Sequence, residues 1–202
     1  MIFVDFDGTL VDLWPRYHAV FTALCDLNSV TVQEYKEVKQ RLVFDEKVAK
    51  YFGKKLCKNY FEKKAKLLED KEYLALDRLF LQPEAINQAF IKNDAILLSK
   101  RRNKKHFKWE LEQMGLYVPS IVISDTSKKD WILEEFPGKR CIIIGDSIAD
   151  LEAAQLNNVN AFMVDFGLGT EEQFIRSGIP FRMLRAATQI LDIMEGYKNA
   201  IS

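Results

Sequence analysis

Histidine, cysteine and net charge are all scarce in this 202-residue chain. Two histidines, His18 and His106, are too few for a His-rich metal site. The cysteines Cys25, Cys57 and Cys141 are odd in number, widely spaced and in no C-x-x-C pair. That excludes a disulfide framework and a cysteine zinc site, and points to a reducing compartment. With 29 basic residues against 29 acidic ones, the chain lacks the basic excess of a general nucleic-acid or membrane-surface binder. No charge-free stretch is longer than Gln113 to Ser124, which falls well short of the roughly 18–20 residues of a membrane span. Met1-Ile2-Phe3-Val4 meets Asp5 too soon for a secretory leader. These absences predict a soluble, cytoplasmic protein with neither nucleic acid nor membrane as partner.

Apolar residues make up 48% of the chain and aromatics 12%, enough for a real core. The zero net charge hides a split. Residues 34–108 hold 20 Lys or Arg against 11 Asp or Glu, while the remainder holds 9 against 18. Short apolar runs read as buried strands at Ile2–Phe6, Ala95–Leu98, Ile121–Ile123, Cys141–Ile144 and Ala161–Val164. Helical periods separate the later ones, at Asn103–Met114 (closed by Gly115), Lys128–Phe136 and Ile148–Leu156. Apolar strands alternating with helices indicate a parallel sheet covered on both faces. Between the first two strands there is no strand signal. Thr31-Val32-Gln33-Glu34 is a capping-box pattern, and Gly53 and Pro83 are natural breaks. Residues 15–84 are therefore expected to form an all-helical insertion. Residues 1–14 and 85–202 would then form the core. Thr170-Glu171-Glu172-Gln173 reads as a further helix start, and a last helix is expected near Ala186–Glu195.

The residues with chemical meaning lie at the strand ends. In Phe3-Val4-Asp5-Phe6-Asp7-Gly8-Thr9-Leu10, strand alternation sends Asp5 and Asp7 the same way, and Gly8 lets the chain turn off sharply. The carboxyl end of such a strand is where open α/β sheets bind ligands. A buried aspartate pair is costly alone, so a divalent cation is expected. In Gly145-Asp146-Ser147-Ile148-Ala149-Asp150, the i, i+4 spacing across a strand-to-helix turn brings Asp146 and Asp150 to one side. Hard oxygen ligands suit Mg²⁺, which favours phosphate partners. Ser99 ends the second core strand and offers a hydroxyl to a phosphate oxygen. Ser124 competes for that role but stands only four residues before Lys128, which favours Ser99. Lys128, opening a helix, would face developing phosphoryl charge.

Asp5-x-Asp7-Gly8-Thr9, Ser99, Lys128 and Gly145-Asp146-Ser147-x-x-Asp150, in that order, resemble the four motifs of the haloacid-dehalogenase-like hydrolase superfamily. The resemblance spans residues 2 to about 167. It implies an α/β fold: a Rossmann-like parallel sheet with helices on both faces and an inserted helical cap. It also implies roles. Asp5 would be the nucleophile that forms an aspartyl-phosphate. Asp7 would be the general acid and then the base. Ser99 and Lys128 would stabilise the transferring phosphoryl group, and Gly8 and Thr9 would help bind it. Mg²⁺ would be held by the Asp5 carboxylate, the Asp7 main-chain carbonyl and Asp146, with Asp150 binding it directly or through water. Many relatives have Lys-Pro where this chain has Lys128-Lys129, so either lysine could serve; the spacing to Ile132 favours Lys128. Ser99 replaces the commoner threonine and keeps the hydroxyl. Having Asp7 as the second aspartate of the first motif, where the true dehalogenases differ, implies phosphoryl chemistry.

Arg101, in the basic run Lys100–Lys105, is the preferred contact for a second anionic group of the substrate. Trp14 and Arg16, at the junction with the insertion, are read either as substrate contacts or as hinge packing. The expected activity is a Mg²⁺-dependent phosphatase acting on a small phosphorylated metabolite, such as a nucleoside monophosphate or a sugar or glycol phosphate. A phosphomutase on the same scaffold and a receiver-like phospho-acceptor domain are the alternatives.

Overall fold

A computed structural model describes residues 1–123, 126–137, 141–156 and 159–199. In chain order the elements are β1 (Ile2–Val4), β2 (Val11–Asp12), α1 (Trp14–Cys25), α2 (Val32–Leu42), α3 (Asp45–Tyr51), α4 (Tyr60–Leu67), α5 (Lys71–Leu74) and β3 (Arg78–Leu79). Then come α6 (Pro83–Asn93), β4 (Ala95–Lys100), α7 (Lys104–Gln113), β5 (Ser120–Ile123), α8 (Lys128–Glu135) and β6 (Ile142–Gly145). Last are α9 (Ile148–Leu156), β7 (Asn160–Val164), α10 (Glu171–Arg176), β8 (Arg182–Leu184) and α11 (Thr188–Asn199).

Six strands form one parallel sheet in the order β5-β4-β1-β6-β7-β8. The chain builds outward from β1 to β5, then resumes on the other side of β1 with β6. Strand order therefore reverses at β1, and the carboxyl ends of the strands flanking such a reversal are where open α/β sheets bind ligands. The register places Val4 between Leu97 and Ile144. Alternation along each strand loads both faces. Ile2, Val4, Leu97, Ile142 and Ile144 pack on one side with Ile86, Phe90, Phe107, Leu111 and Met194. Phe3, Leu98 and Ile143 pack on the other with Ile132, Leu151, Ala154 and Phe174. Phe3 meets Phe136 and Trp131 edge-on, at ring separations of 5.3 and 6.1 Å.

The chain divides into two compact units, Met1–Asp12 with Leu79–Ser202, and Leu13–Arg78. The second unit carries α1 to α5. Trp14, Phe21 and Tyr35 cluster there, with Phe21 and Tyr35 rings 4.9 Å apart. Thr31 caps α2 by accepting from the Glu34 amide at 3.2 Å. Asp45 is buried beneath two ammonium groups, Lys64 at 2.6 Å and Lys39 at 2.7 Å. Three short strands escaped the sequence reading. β2 and β3 have two residues each, and β8 is a three-residue strand with a charged start. The reciprocal capping box is complete at Thr170 and Gln173, which opens α10. Among the described residues, no helix is long and apolar enough to cross a membrane.

Candidate active site

Asp5 stands one residue beyond β1, where its amide continues the ladder by donating to the Ile144 carbonyl at 2.8 Å. Its Oδ1 accepts from the Phe6 amide at 2.8 Å. The chain then folds into a tight turn in which the Thr9, Leu10 and Val11 amides all point at the Phe6 carbonyl. Gly8 makes the turn at φ +74°, a conformation in which a Cβ is strained. A Cβ there would also stand 2.1 Å from Asp146 Oδ2.

Asp146 follows β6, and its Oδ2 accepts from the Leu168 amide at 2.6 Å. Gly145 and Gly167 complete the cradle. A Cβ on Gly145 would lie 2.4 Å from Asp150 Cγ, and one on Gly167 would lie 2.3 Å from Asp146 Oδ2. Backbone thus packs directly against these carboxylates. Asp150, in the first turn of α9, receives Ser147 Oγ at 2.5 Å and the Ser147 amide at 3.2 Å on Oδ2. Its Oδ1 receives Lys128 Nζ at 2.7 Å.

Lys128 is the first residue of α8, behind the N-cap Ser127. Its ammonium bridges Asp150 and Asp5, with the second contact at 2.6 Å. Lys129 is half-exposed, so the two adjacent lysines have different surroundings. Asp5, Asp146 and Asp150 are all buried and each offers an oxygen within 4.8 Å of the others. Three carboxylates thus face one ammonium, which leaves two negative charges uncompensated. Burial, assisted by Asp150 and Asp7 and opposed by Lys128, pushes Asp5 up to about 7. Burial and the charges of Asp5 and Asp150 likewise raise Asp146 well above the usual carboxylate range. Burial alone would depress Lys128, but Asp150 and Asp5 outweigh it and hold the ammonium charged. A divalent cation supplies the charge this cluster lacks, so the residues present fit Mg²⁺.

Ser99 is buried near the carboxyl end of β4, and its Oγ has no hydrogen-bond partner among the described atoms. Its competitor Ser124 lies outside the described residues. Thr9 is fully buried, also with an unpartnered hydroxyl oxygen. Arg101, expected to meet substrate, is instead engaged within the protein: Nη2 lies 2.7 Å from Asp7 Oδ1 and 3.1 Å from Glu110 Oε2. Glu110 was missed by the sequence reading. Its signal was legible, since it shares the apolar face of α7 with Phe107 and Leu111. Arg16 lies in the helical unit, paired with Asp77 at 3.0 Å and donating to the Leu68 carbonyl at 2.9 Å. That favours the packing reading for Arg16.

No family model matches the chain, and no curated protein matches it. Solved structures do. A predicted phosphatase from Clostridium acetobutylicum aligns with a TM-score of 0.67 at 16% identity, covering 96% of this chain and 97% of that one. A candidate beta-phosphoglucomutase from Thermotoga maritima aligns at 0.62 and 13% identity, covering 96% and 98%. A haloacid-dehalogenase-like family protein from Streptococcus pneumoniae aligns at 0.58 and 15% identity, covering 95% and 96%. At these identities the likeness establishes architecture.

Proposed function

We propose that this chain, which has the haloacid-dehalogenase-like fold, is a Mg²⁺-dependent phosphatase for a small phosphorylated metabolite. One observation carries the reading: Lys128 bridges Asp5 and Asp150 beside Asp146, leaving a buried site two positive charges short. A phosphate dianion can enter such a site only with a cation to accompany it. The Asp5 and Asp146 carboxylates would hold Mg²⁺, with Asp150 alongside and the Asp7 carbonyl contributing. Bound there, it supplies charge neutralisation to nucleophile and phosphate.

The chain's own residues perform the transfer. Asp5 Oδ1 already takes the Phe6 amide and Lys128, so Oδ2 is the oxygen left to attack phosphorus in line. As that P–O bond forms, the bond to the leaving oxygen breaks and Asp7 gives that oxygen its proton. Asp7, now a carboxylate, takes a proton from the water that attacks the aspartyl-phosphate. Phosphate leaves and Asp5 is restored. Lys128 and the Ser99 hydroxyl hold phosphoryl oxygens throughout, and the Gly8–Thr9 turn borders them. The helical insertion, which leaves the core shortly after this turn, is assigned the role of cap, selecting substrate and excluding water.

A phosphomutase would use the same first step and return the phosphoryl group to a sugar. The similarity to the candidate beta-phosphoglucomutase keeps that reading in play. Phosphate release from a metabolite panel with Mg²⁺ decides the matter, with Asp5→Asn as control. Steady release by wild type alone supports hydrolysis. Isomerised sugar phosphate without release would establish the mutase, and stable self-phosphorylation without turnover would establish a phospho-acceptor domain.

A further inference from the structure

The Arg101–Glu110 pair has no part in the mechanism above, yet both side chains are buried, at 5% and 1% exposure. A carboxylate on the apolar face of α7 is expensive there; a methionine or leucine would satisfy Phe107 and Leu111 better. Its geometry is also specific. Arg101 Nη2 is shared between Glu110 and Asp7, while the Phe107 ring lies 5.4 Å from the guanidinium carbon. The Arg101 amide is tied to the Ile123 carbonyl at 3.0 Å, which holds its backbone to β5. The guanidinium is thus held by a ring and two carboxylates, while its backbone is tied to β5. Only Asp7 among these partners is partly exposed, with 22% of its side chain open.

We propose that Glu110 is a positioning residue: it locks Arg101 in a bracket that holds the Asp7 carboxyl group in line with the leaving oxygen. This rests on the proton-transfer role given to Asp7 above. Proton donation requires a heavy-atom separation of about 3 Å, so an Asp7 free to rotate into solvent loses the transfer while the nucleophile keeps its place. Without Glu110, Arg101 can swing and Asp7 turns with it. The loss falls on the step in which the bond to a poor leaving oxygen breaks as that oxygen takes a proton. It spares Asp5–phosphorus bond formation when the departing oxyanion needs none.

The test compares two substrates in wild type, Glu110→Gln and Glu110→Met, all with Mg²⁺. Nitrophenolate leaves p-nitrophenyl phosphate unprotonated, so its first-turnover release should change less than about threefold in both variants. Steady turnover of an alkyl phosphate, which needs the proton, should fall at least ~10-fold with KM nearly unchanged. Thermal unfolding should show both variants less stable than wild type, since Arg101 keeps Asp7 alone as its charge partner; with both assayed well below their midpoints, a structural loss would act on both substrates alike. Equal losses on both substrates, or no loss on either, would overturn the proposal. A wild type that turns over neither substrate would instead refute the phosphatase reading, and the role of Glu110 with it.

Discussion

Lys128→Ala tests the electrostatics of the site most sharply, because stability and catalysis should respond to pH in a defined way. The ammonium lies 2.6 Å from Asp5 and 2.7 Å from Asp150, all three side chains being at least nine-tenths buried. Removing one partner of such a group leaves uncompensated buried charge, at a cost of about 3–5 kcal/mol. In metal-free protein that cost should grow as pH rises past about 7. The sign follows from Asp5, whose carboxyl is already pushed up to about 7 mainly by burial, against the pull of Lys128. Deleting Lys128 raises it further. An acid whose folded pKa exceeds its unfolded value binds more protons when folded, so stability falls as pH rises through that interval. Wild type shares the part of that interval from about 4 to about 7, so the gap between the two proteins opens above about 7. Urea unfolding in EDTA should therefore show a larger loss at pH 8 than at pH 5. Mg²⁺ should restore part of it at pH 8. Turnover should fall roughly 10²–10³-fold, the range for losing one preorganised group that stabilises transition-state charge. Lys129→Ala should leave both readouts near wild type. An equal penalty at both pH values, or equal effects of the two lysine variants, would refute the reasoning.

The glycine cradle and the helical unit are testable in the same way. Gly167→Ala places a Cβ 2.3 Å from Asp146 Oδ2 and 2.6 Å from the Gly8 carbonyl. Because the Leu168 amide pins that carboxylate, the variant should lose Mg²⁺ binding, read by titration calorimetry, before it loses its fold. Gly178→Ala, at an open position, should bind Mg²⁺ normally and cost about 1–2 kcal/mol from its φ of +69°. In the helical unit, Asp45→Asn should destabilise the protein by about 3–5 kcal/mol in thermal unfolding near pH 7, since Lys39 and Lys64 lose their shared carboxylate. Burial opposes ionisation of Asp45, but the two lysines outweigh it and hold the carboxyl below its usual value. Its contribution is therefore present above about pH 4 and disappears as pH falls through the lowered pKa. The gap between wild type and variant should close in acid, and a gap that persists would count against the ion pairs.

Asp5, Asp7, Asp146 and Asp150 were legible because strand period, helix period and turn glycines are local properties, and their strand-end positions follow from them. The sheet was legible for the same reason: Ile142-Ile143-Ile144 is apolar on both sides of its strand. The place of Glu110 on the apolar face of α7 was legible too, but its pairing was not, because it depends on Arg101, just past β4, reaching back to Asp7, 94 residues earlier in the chain. Nor were the roles of Gly145 and Gly167, since a close backbone approach is created by tertiary packing. β8 was missed because Arg182-Met183-Leu184 is too short, and too polar at its start, to show a strand period. The positive stretch of residues 34–108 also changed in meaning. Lys39 and Lys64 are tied to Asp45, and Arg101 to Asp7 and Glu110, so part of that charge is spent on internal pairing.

In the proposed mechanism Asp5 carries the phosphoryl group. Rapid acid quench during turnover of an active phosphate ester with Mg²⁺, followed by peptide mass spectrometry, reads this directly. One phosphoryl group is expected on the N-terminal peptide, located at Asp5 and absent in Asp5→Asn, which should also release no phosphate. Phosphate release by Asp5→Asn at the wild-type rate, or a phosphoryl group on any other residue, would contradict it.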